Sequence, residues 1–225
     1  MDYRALIVRL KAMKNPANVE GMARFGISSK NTLGISMPEI RKFAKEIGKD
    51  HSLALRLWDS GIHEARILAA LIADPQKVTP SMMNRWVKDF DSWDICDQCC
   101  CNLFDKTPYA YSKVEQWSNR KQEFVKRAAF ALMAGLAVHD KKAPDDRFVE
   151  FLSIIERSSN DPRNFVKKAV NWALRQIGKR NLTLCDEALR TAKKISKQDS
   201  ASARWIAADA IRELEAKREG LRSRI

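Results

Sequence analysis

No run of about 18 apolar residues occurs in this chain of 225, so no segment has the length a bilayer-spanning helix requires. The opening Met1-Asp2-Tyr3-Arg4-Ala5-Leu6 lacks the charged, apolar, then small order of a secretory signal, and a soluble cytoplasmic protein is expected. Cysteine is scarce outside one cluster: of five, four fall at 96, 99, 100 and 101, and the fifth is Cys185. A disulfide framework spreads its cysteines, and a zinc site needs a second ligand pair at a defined spacing. Neither pattern is present, and His51, His63 and His139 are scattered, so no metal and no cofactor is expected. Alternating Val, Ile and Thr runs are missing too, which argues against strands. Acidic charge is in deficit, with 28 Asp+Glu against 41 Lys+Arg and a net charge of +13. That balance suits nucleic acid, an anionic membrane surface or solubility alone, and the number by itself does not choose.

What remains is helical. Leu6, Ile7, Leu10 and Met13 have the spacing of an amphipathic helix that Asn15-Pro16 ends. A second helix is predicted from Ala17 to Phe25, stopped near Gly26, and a polar loop covers 28–32. Ser36 reads as an N-cap before Pro38, with the helix closed by Gly48. Beyond this, apolar helices with small centres recur at 64–71, 125–132, 166–174 and, more loosely, 203–211. Between them lie helical candidates expected to open near Trp58, Trp86, Trp117 and Phe151-Leu152. The pattern predicts one all-α domain over 1–225, an array of antiparallel helix pairs, with a basic tail from about residue 216 expected to fray.

Aligning the basic residues of the second helices gives Arg66, Arg127, Lys168 and Arg204. The first gap is close to two repeats and predicts one near position 97, where the sequence is Ser92-Trp93-Asp94-Ile95-Cys96-Asp97. Asp97 thus stands where other repeats carry a base. Equivalent positions of stacked pairs line one surface, usually the concave one, so Asp97, Arg127 and Lys168 are expected to share a groove. Trp93 lies one turn before Asp97 and Trp172 one turn after Lys168. Tryptophans at helical spacing are ordinarily core residues, and what argues for exposure here is a face shared with charge. Core packing is expected for the cysteine cluster; Cys99 points to the core, while Cys100 and Cys101 are placed to border the groove.

A carboxylate on a polyanion-attracting surface fits one chemistry well. A purine alkylated at N7 or N3 is already cationic and leaves without a general acid, and the sugar left behind passes through an oxocarbenium-like state. A nearby carboxylate stabilises that state and can orient water. Indole faces add cation–π attraction of about 0.5–2 kcal/mol each. Arg127 and Lys168 would hold phosphates without reading sequence.

Five pieces in order carry a resemblance: Leu33-Gly34-Ile35 with Pro38 and Arg41, Glu64-Ala65-Arg66-Ile67-Leu68-Ala69, the 92–97 segment, Phe124-Val125-Lys126-Arg127-Ala128-Ala129, and the segment from Phe165 to Arg175. Together they resemble the bacterial alkylpurine DNA glycosylases built from HEAT-like repeats, the AlkD family. The resemblance implies a superhelical HEAT-like array with a concave DNA-binding groove. It implies Asp97 as the catalytic carboxylate, Trp93 and Trp172 against the lesion nucleotide, and a phosphate-binding arginine at Arg127; Lys168, Lys126 and Arg175 are further candidates for DNA-phosphate contacts. The base would be excised without being drawn into a tight pocket. The implied enzyme is a monofunctional N-glycosylase for cationic N3- or N7-alkylated purines in double-stranded DNA. It would work at the nucleoid as a monomer, with no membrane and no obligatory protein partner. Two departures stand out. Phe25 is followed by Gly26-Ile27-Ser28-Ser29-Lys30-Asn31 rather than by apolar residues, so the N-terminal DNA contact assigned to Phe25 and Lys30 differs from the family's. Gln98-Cys99-Cys100-Cys101 replaces ordinary apolar residues after Asp97. Two other classes stay open, a helical-repeat DNA-binding protein without turnover and a protein-binding scaffold.

Overall fold

The computed structural model describes residues 2–222, and among them every regular element is helical. The chain divides into two compact units, residues 1–109 and 110–225. The first contains α1 (Tyr3–Ala12), α2 (Pro16–Arg24), α3 (Met37–Ile47), α4 (His51–Asp59), α5 (His63–Ile72), α6 (Pro80–Trp86) and α7 (Trp93–Asn102). Short 3-10 turns at Pro75–Lys77, Val87–Asp89 and Phe104–Lys106 join its later helices. The second contains α8 (Ala110–Ser118), α9 (Glu123–His139), α10 (Asp145–Ser158), α11 (Asn164–Gly178), α12 (Leu182–Ile195) and α13 (Ala201–Arg222). The expected all-α succession of helix pairs is what the structure has. The tail expected to fray from residue 216 is helical through Arg222, and residues 223–225 lie outside the described residues.

Local chemistry sets the helix starts. Side chains of Asp2, Asn15, Asp50, Thr79 and Asn181 each accept a hydrogen bond from a first-turn amide, and Pro16 and Pro80 occupy first-turn positions that need no donor. Ser36 sits at the N-cap of α3 as predicted, but its hydroxyl makes no capping bond. Gly48 closes α3 with a positive φ of 72°.

In the first unit the core is built on two indoles. Trp58 and Trp86 stack in parallel, with ring centroids 3.8 Å apart and planes 3° from coincident, and Phe90 and Phe104 pack around them. These tryptophans, like Trp117 in the second unit, occupy the last turn of α4, α6 and α8 rather than opening their helices. A large ring at a helix end reaches past the backbone to fill the corner where the chain reverses, which a mid-helix residue does not. The second unit centres on α9, apolar around nearly its whole circumference and buried from Arg127 to Ala137. Helix α11 packs on α9, α12 and α13. At Gly178 a Cβ would come within 2.7 Å of Leu214, so the glycine permits the close approach of α13.

Candidate functional site

Helix α7 has a sorted surface. Ile95, Cys96, Cys99 and Cys100 face the core, while Trp93, Asp97 and Cys101, one turn apart in succession, form a partly exposed stripe. The predicted pairing of indole and carboxylate on one face is therefore present. Trp93 is held in place: its Nε1–H donates to the backbone carbonyl of Phe25 at 3.1 Å, across to the end of α2. Phe25 itself is 74% exposed, and Lys30 is exposed in the loop that follows.

Beside Trp93 the first unit opens a cleft of about 600 Å³, walled by Met22, Phe25, Ile35, Met37, Trp93 and Asp94. Asp94, one residue from the indole, is fixed from behind by His63, whose Nε2 lies 2.8 Å from Asp94 Oδ2. Burial alone would depress the His63 imidazolium. The hydrogen bond and charge of Asp94, with Glu64 and Asp91 nearby, outweigh it and raise the pKa. The opposite wall depends on Glu64, which is fully buried at the start of α5. Its carboxylate accepts from the amides of Leu33 at 2.9 Å, Gly34 at 2.6 Å and Ile35 at 3.2 Å. Gly34 has φ 81°, and a Cβ there would stand 2.3 Å from the Asn15 carbonyl. Two of the quoted motif pieces, 33–35 and 64–69, are thus one anchored loop. None of His63, Asp94 or Glu64 in this role was apparent from sequence. Only the adjacency of Asp94 to Trp93 pointed towards it.

The cysteine cluster needs one correction. Cys100 is fully buried alongside Cys99, so of the two expected at the groove border only Cys101 is partly exposed. Burial pushes the thiols of Cys99 and Cys100 well above their ordinary range. A neutral, enclosed thiol is a poor nucleophile toward an alkylating group.

In the second unit the basic residues separate into two kinds. Arg127 is buried, 5% exposed, and its guanidinium donates to the Phe165 carbonyl at 2.6 Å, tying α9 to the start of α11. Lys126 forms an ion pair with Asp161 at 3.0 Å. Arg175 is held by Glu213 and lies 3.6 Å from Asp209. These three, expected at phosphates, each have a partner within the protein, a carbonyl for Arg127 and carboxylates for part-exposed Lys126 and Arg175. Lys168 is exposed and makes no ion pair among the described residues, and half-buried Trp172 follows it by one turn on α11.

Asp161 shows how strong that engagement is. It accepts from Arg163 at 2.6 Å as well as from Lys126. Burial would raise its pKa, but the two cations hold it down at about 2. Because the folded pKa lies below the ordinary 3.8, its contribution of about 2 kcal/mol is complete above pH 3.8 and is lost as pH falls through 2. Asp161→Asn should therefore unfold at lower urea than wild type at pH 7, with the gap closing toward pH 2. A gap independent of pH would contradict the assignment.

Comparison with known proteins agrees with this architecture. The family described as DNA alkylation repair enzyme matches residues 6–214. An uncharacterized protein of Listeria innocua is 20% identical over 201 residues, covering 88% of each chain. A solved structure superposes with a TM-score of 0.81 at 19% identity, covering 98% of this chain and 97% of the other. It belongs to a new family of proteins related to the HEAT-like repeat DNA glycosylases, with affinity for branched DNA structures. With a family match running from the first helix into the last, the chain belongs to the DNA alkylation repair enzyme family.

Proposed function

We propose that the protein is a DNA glycosylase that hydrolyses the N-glycosidic bond of cationic N3- or N7-alkylated purines in duplex DNA. The observation that carries this is Asp97, a carboxylate kept on the partly exposed face of α7, one turn from an indole pinned by its own N–H. On a protein of net charge +13, a carboxylate beside the DNA weakens binding and is useful where positive charge develops. In this reading Asp97 stabilises the oxocarbenium-like sugar and orients water, and Trp93 lies against the cationic nucleotide. On α11, Lys168 is assigned to a DNA phosphate and Trp172 to a nucleotide face. Arg127, Lys126 and Arg175 have partners within the protein and help to fix α9, α11 and α13.

The test is release of 7-methylguanine and 3-methyladenine from methylated duplex DNA by the wild-type protein, followed by chromatography. Release above the spontaneous rate is expected, and absence of both products overturns the proposal. A second reading, a DNA-binding protein without turnover, is favoured by the affinity for branched DNA of the structurally similar protein and by the three engaged cations. It predicts no release and tighter binding to a four-way junction than to a duplex of equal length.

A further inference from the structure

Helices α11 and α13 run side by side, and their facing polar residues pair with one constant offset. Asn171 Nδ2 donates to Asp209 Oδ2 at 2.7 Å. One turn on, Arg175 binds Glu213, which Lys179 also reaches. One turn back, the same register brings Lys167 to Trp205, with Nζ 4.9 Å from the ring centroid. At the other two rungs a donor or cation faces an acid. Here it faces an indole, and Lys167 makes no ion pair among the described residues.

Packing does not account for the ring. Trp205 is 41% exposed, whereas Ile206, the next residue, is fully buried. The neighbouring exposed positions on α13, Arg204, Ala208 and Arg212, are charged or small, as suits the solvent face of a final helix. Among the described residues Trp205 is the one large exposed hydrophobic side chain of α13. Positive charge is at hand: Lys167 Nζ lies over the ring, and exposed Arg204 is the preceding residue on α13. Among the described residues Arg204 pairs with exposed Asp199 at 3.3 Å, a contact that a stronger anion displaces at little cost.

An aromatic face flanked by cations is the arrangement that holds an unpaired nucleobase while its phosphates are neutralised. We propose that Trp205, with Lys167 and Arg204, is a second DNA-contact site that stacks an unpaired base of single-stranded or branched DNA. The proposal rests on the protein being a DNA binder, but not on its cleaving a glycosidic bond. A paired duplex has no free base face to offer this indole except at its ends. The site therefore adds affinity for DNA containing single-stranded segments and little for continuous duplex.

Fluorescence anisotropy at one fixed salt concentration tests it, using an undamaged blunt hairpin duplex and the same duplex carrying a ten-nucleotide overhang. Wild type should prefer the overhang. Trp205→Ala should lose about tenfold in affinity for it while changing blunt-duplex affinity less than twofold, and Trp205→Phe should keep most of the preference. Trp205→Glu supplies the missing acid of the ladder. It should match or exceed the wild-type Tm while losing the overhang preference, which separates a binding role from a packing one. Equal affinity of wild type for both DNAs, or equal loss by Trp205→Ala on both, overturns the proposal. So does a Trp205-dependent dimer in light scattering, which would assign the indole to a second copy of the chain. Asp97→Asn should leave the preference intact, so failure of the excision assay and failure of this site are distinguishable.

Discussion

Replacing Asp97 by Asn is expected to slow release of 7-methylguanine by about 10²–10³-fold while leaving affinity for undamaged duplex unchanged or higher. The two side chains have nearly the same shape, and Asp97 is only half-buried on α7, so the fold should tolerate the exchange. What is lost is the negative charge. The substrate base is already cationic, so its departure needs no proton, and the barrier lies in the positive charge that grows on the sugar. A fixed carboxylate lowers that barrier, whereas a neutral amide offers only a dipole. The same charge repels phosphate, which is why binding should move the other way. The two measurements together are diagnostic: single-turnover release must fall while anisotropy shows equal or tighter binding. Full excision by Asp97→Asn would remove the carboxylate from the chemistry. A parallel fall in both would indicate a damaged fold.

Glu64→Ala should cost about 3–5 kcal/mol of stability and lower the Tm on the order of 10 °C or more. Its carboxylate is fully buried and serves three consecutive amides, Leu33, Gly34 and Ile35, that have no other acceptor in reach of an alanine. Each orphaned donor carries a desolvation penalty of about 1–3 kcal/mol, reduced where the loop moves to reach water. Glu64→Gln should fall between: its remaining oxygen can take the bonds made by Oε1, but its amide would point a donor at the Leu33 N–H. Because Gly34 and Ile35 also wall the cleft beside Trp93, the loss should appear locally. Amide exchange at 33–35 should accelerate in Glu64→Ala well before global unfolding. If both variants stay within 1 kcal/mol of wild type, the loop is held by something else.

How far the sequence could be read follows from the range of each interaction. Apolar spacing is local, so the recurring helices at 64–71, 125–132, 166–174 and 203–211 are present, while those expected to open at Trp58, Trp86 and Trp117 end there instead, and the stripe of Trp93 and Asp97 follows from a four-residue interval. The fate of Arg127 was not legible. An arginine that follows Lys126 in a Lys-Arg pair looks like a surface cation, and the carbonyl that takes it, at Phe165, is far along the chain. The partners of Arg175 were hidden for the same reason, since Asp209 and Glu213 belong to a different helix. Glu64 was quoted only as part of a motif, with no sign that it faced amides thirty residues earlier. Partners that are distant in sequence leave no periodic trace. The cations that look most available in one dimension were the ones the fold had already used, and Lys168 was the exception.

The parallel indoles of Trp58 and Trp86 have an optical consequence. Two identical chromophores held 3.8 Å apart share their excited states, so they should give a coupled near-ultraviolet absorption band that neither would give alone. Both belong to the first unit, and the band disappears when the rings separate by a few ångströms. Melting of residues 1–109 can therefore be followed in the unmodified protein, without a label and apart from the signal of Trp117, Trp172 and Trp205 in the second unit.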